Sequence, residues 1–428
     1  MSAPSPTKPS LADFWRDLPS AGQRLLSVIA IQFIGTGLII PFAVVYLHRV
    51  RGFELGTSGL LLGIPPLVGF LVVGPGGALI DRLGARAILM ASLAIAMVAD
   101  VLLAGASTIP LAAGALVLNG VGQGLSWPAA NTLVGVLIPE DQRQRYFGVN
   151  FTLLNLGIGI GGLIGGVFVD VDHLWTFQAI YLVDAFCMLP PIAVLLSIRH
   201  VARPPRHHHE HPAVGYLEVI RRPAVPTLLI LGFMSAFVGY GQLNSGMTAF
   251  ASTVADVSTH TLGLAFAANT AVIVVLQLLV LQRIEGRRRT RIVGVFAAVW
   301  AVSWLALGAA GLIPGTVSAS VLVCLMCAIF GVGETLMQPT LPAIVNDLAD
   351  DHVRGRFNAL SSATYQLPSM IAPPIAGGLI DAGLGWAYIA LLLVGCALVA
   401  WLAIVRLEPQ LSPNVNGLRI AAEAVEKS

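Results

Sequence analysis

The sequence predicts an all-α integral membrane protein whose twelve transmembrane helices form two pseudo-symmetric six-helix bundles. Three observations carry that reading. The 428 residues are 56% hydrophobic and only 11% charged, with a mean hydropathy of +0.82, whereas soluble domains carry about 25% charged residues. Apolar runs of about 20 residues or more, long enough to cross a bilayer as helix, recur twelve times along the chain. The second half also repeats the punctuation of the first at an offset of 211 positions, for example Gly120 and Gly331.

Taken in order, a hydrophilic segment over 1–23 contains Asp13, Arg16 and Asp17 and has no cleavable signal-peptide pattern, so the first run, 24–47, is expected to remain as a span. Runs follow at 56–80, 86–105, 110–138, 144–168 and 174–198, giving a first bundle over 24–198. A basic stretch, 199–223, is the central loop. Runs at 224–250, 260–282, 290–313, 317–346, 356–380 and 384–405 make a second bundle over 224–406, and 407–428 is a tail. Pro65, Pro66, Pro128, Pro190, Pro191, Pro339, Pro373 and Pro374 fall inside runs. In lipid they bend helices rather than end them, because neighbouring groups satisfy the freed backbone.

Charge sets the topology. Of the 24 Lys and Arg, 22 fall in alternate gaps between runs, and only Arg49 and Arg51 fall in the others. Positive charge is retained in the cytoplasm, so both termini are expected there. The excess of Arg over Lys, with abundant Ala and Gly, fits a GC-rich bacterial genome and hence a bacterial inner (plasma) membrane. Cys187, Cys324, Cys327 and Cys396 lie within apolar runs, where a thiol is a small hydrophobe, so no disulfide is expected.

The repeat is specific. A shift of 211 takes Gly122 to Gly333, Pro128 to Pro339, Arg143 and Arg145 to Arg354 and Arg356, Gly166 to Gly377, and Asp170 to Asp381. With six spans per copy both copies keep the same orientation, so the axis relating them runs along the membrane normal.

The break between the second and third runs reads Gly77-x-x-x-Asp81-Arg82-x-Gly84-x-Arg86. At these residues the chain resembles the major facilitator superfamily, and within it the twelve-span drug:proton antiporters, over about 20–406. Ala85 replaces a common basic residue of that loop. The resemblance implies that Asp81, with Arg82 and Arg86, is a cytoplasmic charge lock. Its second-half counterpart, Glu285-Gly286-Arg287-Arg288-Arg289, lacks the aspartate. Gly157-x-x-x-Gly161-Gly162-x-x-Gly165-Gly166 in the fifth run is similar to the antiporter signature, with Gly162 where that pattern has proline; small-residue helix packing explains the same spacing. The family's fourth-span arginine, linked there to proton coupling, falls at Leu116.

An ionisable group at lipid depth is costly unless paired or hydrated, so each is a candidate for function. Three acids qualify: Glu334, Asp184 and Asp100. Glu334 lies near the middle of the tenth run and its partner under the shift is Gln123. It is the first candidate for proton coupling, the alternative being a glutamate hydrogen-bonded in helix packing. Asp184 and Asp100 lie on helices that the resemblance makes peripheral, where structural hydrogen bonding competes with a proton relay. Arg143, Arg145, Arg354 and Arg356, near Glu140, Asp141, Asp350 and Asp351, are candidates to exchange ion pairs with Asp81 as the halves rock.

Drug-sized sites combine apolar surface with a few polar groups. Gln32, Phe33, Trp127, Asn131, Asn155, Phe233, Tyr240, Gln242, Asn244, Asn269, Gln338, Tyr365 and Gln366 are the candidates, each equally able to hold helices together. His207, His208, His209 and His211 form a polar tract without a fixed metal geometry, and no metal or cofactor is expected. No phosphate-binding loop is present, which argues against ATP hydrolysis, and no enzyme activity is expected. The expected function is proton-coupled export of amphipathic compounds or drugs by a monomer embedded in the bilayer. A transporter of a defined metabolite (sugar, peptide or siderophore), or a membrane receptor or scaffold without transport, is the alternative.

Overall fold

The structure is a computed structural model, and it describes residues 11–198, 215–243, 245–350 and 353–418. Asn244, Asp351 and the histidine tract at 207–211 lie outside the described residues. Among those described, eleven helices are long and apolar enough to cross a membrane. In chain order they are α1 (Ser20–Ile39), α2 (Leu55–Leu83), α3 (Ala85–Ala104), α4 (Ile109–Leu137), α5 (Glu140–Phe168) and α6 (Leu174–Ser197). Then come α7 (Val225–Leu243), α8 (Thr259–Ile284), α9 (Arg289–Ala310) and α10 (Val317–Leu348), and after α11 comes α12 (Gly385–Trp401).

The eleventh, α11 (Arg354–Asp381), has 28 residues, enough to cross, but less apolar character. Ser361, Ser362, Thr364, Tyr365, Gln366 and Ser369 interrupt it, and Pro368, Pro373 and Pro374 lie within it. It nevertheless packs among the spans, against α2 and α7. The first span begins earlier and ends sooner than its apolar run suggests. α1 stops at Ile39, ahead of Pro41, and the chain continues through a 3-10 turn and a π turn to Val50. Proline at the first turn position has no N–H to lose there, so the break is local.

Helices α1 to α6 pack chiefly on one another, as do α7 to α12. The largest apolar cluster, built around Trp300, Trp304 and Phe330, belongs to the second group. The repeat is visible as packing. Gly120 of α4 faces Pro65 and Val68 of α2, and Gly331 of α10 faces Asn269 of α8. Gly122 faces Ser92 and Ala96 of α3, and Gly333 faces Trp300 of α9. A Cβ at any of these four glycines would come within 3.0 Å or less of a neighbour, so the same helix triplet closes on the same missing side chains twice.

Both ends of the described chain lie at one end of the molecule. Phe14 packs with Ile138 and Tyr146, and the Arg289 N–H donates to the Asn416 carbonyl at 2.9 Å. This is the arginine-rich end.

Candidate functional site

At the arginine-rich end the two bundles meet through charge. Asp81, in the last turn of α2, accepts the Gly355 N–H at 2.6 Å, the Arg356 N–H at 3.3 Å and Arg356 Nη1 at 2.7 Å. These N–H groups belong to the first turn of α11, where no helical partner exists and the helix end is electropositive. The carboxylate therefore caps a helix of the opposite bundle while pairing with that helix's own arginine. Small residues make the approach possible: a Cβ on Gly355 would collide with Asp81 Oδ1, and one on Gly77 would meet Ala359 Cβ and the Tyr216 hydroxyl, each at 2.5 Å. Tyr216, on a short helix before α7, donates to the Gly74 carbonyl.

Arg86 does not take part with Asp81, contrary to the expectation from the loop. Gly84, at φ 88°, turns the chain into α3, and Arg86 in its first turn donates to the Leu195 carbonyl at 3.0 Å, within its own bundle. Arg82 is exposed. The partner of Asp81 is Arg356.

A matching lock stands on the other side of the interface. Arg145, 211 positions before Arg356, pairs with Glu285 at the end of α8. The second-half loop thus lacks the aspartate but keeps an acid that performs its pairing. Between the two locks, Asp347 of α10 is paired with Arg143 of α5 and, at 2.5 Å, with Arg289 of α9. All three side chains are buried. Arg143 also donates to the carbonyls of Gly135 at 2.6 Å and Ile138 at 3.0 Å. Arg354 donates to the Ala349 carbonyl at 3.3 Å and packs on Gly135. Asn358 joins Thr132 at 3.2 Å and Asn346 at 3.1 Å. Asp350 pairs with Arg222 instead of with this group.

The bundles also touch at about half height. Gly69 of α2 faces Gln366 of α11, and Gly159 of α5 faces Thr270 of α8 at 3.5 Å. Beyond them, a Cβ on Gly59 or Gly63 of α2, Gly166 of α5, Gly263 of α8, or Gly377 or Gly378 of α11 would meet nothing within 4 Å. The ion pairs that join the two bundles all lie at the arginine-rich end.

Glu334 is 3% exposed and lies in the second bundle between α7, α8 and α10. Its Oε2 accepts Asn269 Nδ2 at 2.6 Å, and beside the carboxyl lies the Tyr240 hydroxyl, which accepts Gln338 Nε2 at 2.6 Å. Asn269 also donates to the Cys327 carbonyl at 3.2 Å, and Gly331 makes room for it. Among the described residues Glu334 forms no ion pair. Four residues singled out separately in the sequence, Glu334, Asn269, Tyr240 and Gln338, are therefore one network: a carboxyl held by neutral donors, in the setting where it can take or give a proton without breaking a salt bridge.

The remaining candidates divide. Gln32, Phe33, Asn131, Phe233, Tyr365 and Gln366 are partly exposed, and Trp127 is half exposed. Asn155 donates to the Phe151 carbonyl of its own helix at 2.9 Å, whereas Gln242 is fully buried beside Gly246. In the fifth-span motif, Gly157, Gly161 and Gly165 face Ala30, Ile34 and Phe42 of α1 and its extension closely enough to exclude any Cβ. Gly162 and Gly166 do not. Asp100 and Asp184, separate in the sequence, are hydrogen-bonded to each other between α3 and α6.

Two membrane-spanning bundles joined by ion pairs at one end are the architecture of a secondary transporter. The chain belongs to the Major Facilitator Superfamily, whose family model matches residues 25–373 and 287–424. It is a multi-pass membrane transporter and not an enzyme. It is 25% identical over 410 residues to the uncharacterized MFS-type transporter YhjO of Bacillus subtilis, covering 93% of this chain and 98% of that protein. It is 29% identical over 149 residues to the quinolone resistance protein NorA of Staphylococcus aureus, covering 35% of this chain and 38% of NorA. Among solved structures it is similar to a bacterial homologue of the iron transporter ferroportin in an outward-facing state, with TM-score 0.68, 15% identity and coverage of 90% and 99%. It is likewise similar to the human organic anion transporter MFSD10, with TM-score 0.70, 14% identity and coverage of 90% and 100%.

Proposed function

We propose that this transporter exports amphipathic organic compounds from a bacterial cell by alternating access, driven by inward flow of protons through Glu334. The observation that carries the reading is the placement of Glu334, buried at mid-helix on neutral donors. The local similarity to NorA supports an organic cargo. The arginine bias supports cytoplasmic chain ends, and with them a cytoplasmic position for the ion-paired end.

In that orientation Glu334 takes a proton from outside. Rocking of the bundles then breaks the Asp81–Arg356 and Arg145–Glu285 pairs and opens the cytoplasmic side. The proton leaves inward and the vacated network admits the cargo, which is carried out on the return. The partly exposed groups proposed for the path, such as Gln32, Asn131, Trp127 and Gln366, are uncharged, as suits an amphipathic cargo.

The test uses ethidium as a lipophilic cationic probe in proteoliposomes under an imposed pH gradient. Gradient-driven ethidium efflux is expected for the wild type and is lost in Glu334→Gln, while exchange of ethidium without a gradient persists. Undiminished gradient-driven efflux in Glu334→Gln removes that residue from the mechanism.

A further inference from the structure

The first bundle holds a second acidic site. Asp100 on α3 is 2% exposed and Asp184 on α6 is 6% exposed, and their carboxyls are hydrogen-bonded to one another. Two carboxylates cannot accept from each other, so one of them is the donor. The surroundings offer no charge to offset two ionised groups. From α6, Tyr181 and Cys187 face the pair, and from the segment after α1 comes Tyr46. Of the basic residues of that segment, Arg51 is committed to the Tyr46 hydroxyl at 2.8 Å and the Ala104 carbonyl at 2.6 Å, His48 lies on the Phe53 carbonyl at 2.8 Å, and Arg49 is exposed. α4 carries no ionisable side chain, the charges of α5 are in its first two turns at the arginine-rich end, and Glu54 ahead of α2 is exposed. Like carboxyls in contact out of water share a proton rather than both ionise.

The pair is also mechanically placed. Gly35 of α1 lies directly on Asp184, so closely that a Cβ there would overlap its Oδ1 and come within 2.6 Å of its Cα. The opposite side of α1 lies on Gly157 and Gly161 of α5. α1 is therefore clamped between the glycine stripe and the acid pair. A buried carboxyl oxygen of each acid, Asp100 Oδ2 and Asp184 Oδ1, has no hydrogen-bond partner, so each keeps an acceptor that water would satisfy once α1 moves.

We propose that Asp100 and Asp184 form a second proton-binding site, in which one proton is shared in the state described and is released to water when α1 shifts from α6. In that step the O–H bond of one carboxyl breaks, the proton passes to water, and two hydrated carboxylates remain. The proposal rests on the transport reading but not on Glu334 being the coupling residue.

Two measurements on the full-length protein test it. Infrared spectroscopy at neutral pH is expected to show a protonated-carboxyl carbonyl band that survives in Glu334→Gln and disappears in Asp100→Asn/Asp184→Asn combined with Glu334→Gln. Asparagine matches the size of aspartate and supplies an N–H in place of the shared proton; the single variant Asp184→Asn, expected to weaken the band, serves as the check if the combined variant does not fold. In proteoliposomes, protons moved per ethidium are expected to fall about twofold in Asp100→Asn/Asp184→Asn, as one of two sites is removed. A band that vanishes with Glu334→Gln alone, or a proton-to-ethidium ratio unchanged in the aspartate variants, overturns the proposal. Loss of driven efflux in Glu334→Gln bears on the other reading only.

Discussion

Arg145 at the start of α5 pairs with Glu285 at the end of α8, in pseudo-symmetric correspondence to Arg356 of α11 and Asp81 of α2. The arginines are 211 positions apart, and each reaches into the opposite bundle. The locks differ in one respect. Asp81 also accepts two backbone N–H groups of α11, so its side is held by a helix end as well as by an ion pair.

That difference predicts unequal consequences. Glu285→Arg should open the arginine-rich end, and Arg145→Glu/Glu285→Arg should close it again, with a coupling free energy of about 0.5–3 kcal/mol, the range for residues in contact. Asp81→Arg with Arg356→Glu should recover less, because the helix cap is not restored. Electron-spin distances between labels at the exposed positions 82 and 287, one in each bundle, read the separation directly. Equal recovery on the two sides would show that the capping contact contributes nothing.

Asp347 leads to a second expectation. It is 3% exposed at its side chain, between Arg143 at 6% and Arg289 at 4%. Removing the acid leaves the buried Arg289 without its counter-charge and Arg143 with only the exposed Glu140 at 3.9 Å, a loss of about 3–5 kcal/mol for a buried pair. Asp350, with a side chain 60% exposed, pairs with Arg222 where solvent screens the charge. Asp347→Asn should therefore lower the unfolding temperature in detergent markedly and Asp350→Asn little. Comparable shifts for both would contradict the assignment.

The fold was readable because bilayer thickness imposes run length and retained positive charge imposes alternation, both of which survive without any knowledge of packing. α11 marks the limit of that logic: it faces α2 across the path, so its serines and Gln366 dilute the apolar signal used to find spans. The 211 shift identified the arginines at the ends of α5 and α11 as equivalent. It did not identify their acids, since Asp347 and Glu285 resemble their charged neighbours until the bundles dock. The family resemblance groups Arg86 with Asp81 in one charge lock, but the Gly84 turn separates neighbours in sequence by pointing them to different helices. Asp100 and Asp184 illustrate the same gap, because a contact between α3 and α6 leaves no periodic trace.

The glycine motif of α5 permits a sharper separation of packing from transport. Gly161 has the Ile34 carbonyl and the backbone of Gly37 and Leu38 where its Cβ would be, and Gly157 has Ala30 and Phe33. Backbone cannot yield as a flexible side chain does, so Gly161→Ala must push α1 off α5. Overpacking of this kind costs about 1–3 kcal/mol or more. Gly162, one position on, would place its Cβ 3.8 Å from the Gly37 carbonyl, an ordinary contact, and helix propensity favours alanine by about 1 kcal/mol. Gly162→Ala should accordingly leave folded yield and unfolding temperature equal to or above the wild type, while Gly161→Ala lowers both. Ethidium efflux then assigns the motif: if Gly162→Ala is stable yet impaired in efflux, Gly162 acts in the transport cycle, and if both stability and efflux are retained, the motif's requirement in this chain is the α1–α5 contact alone.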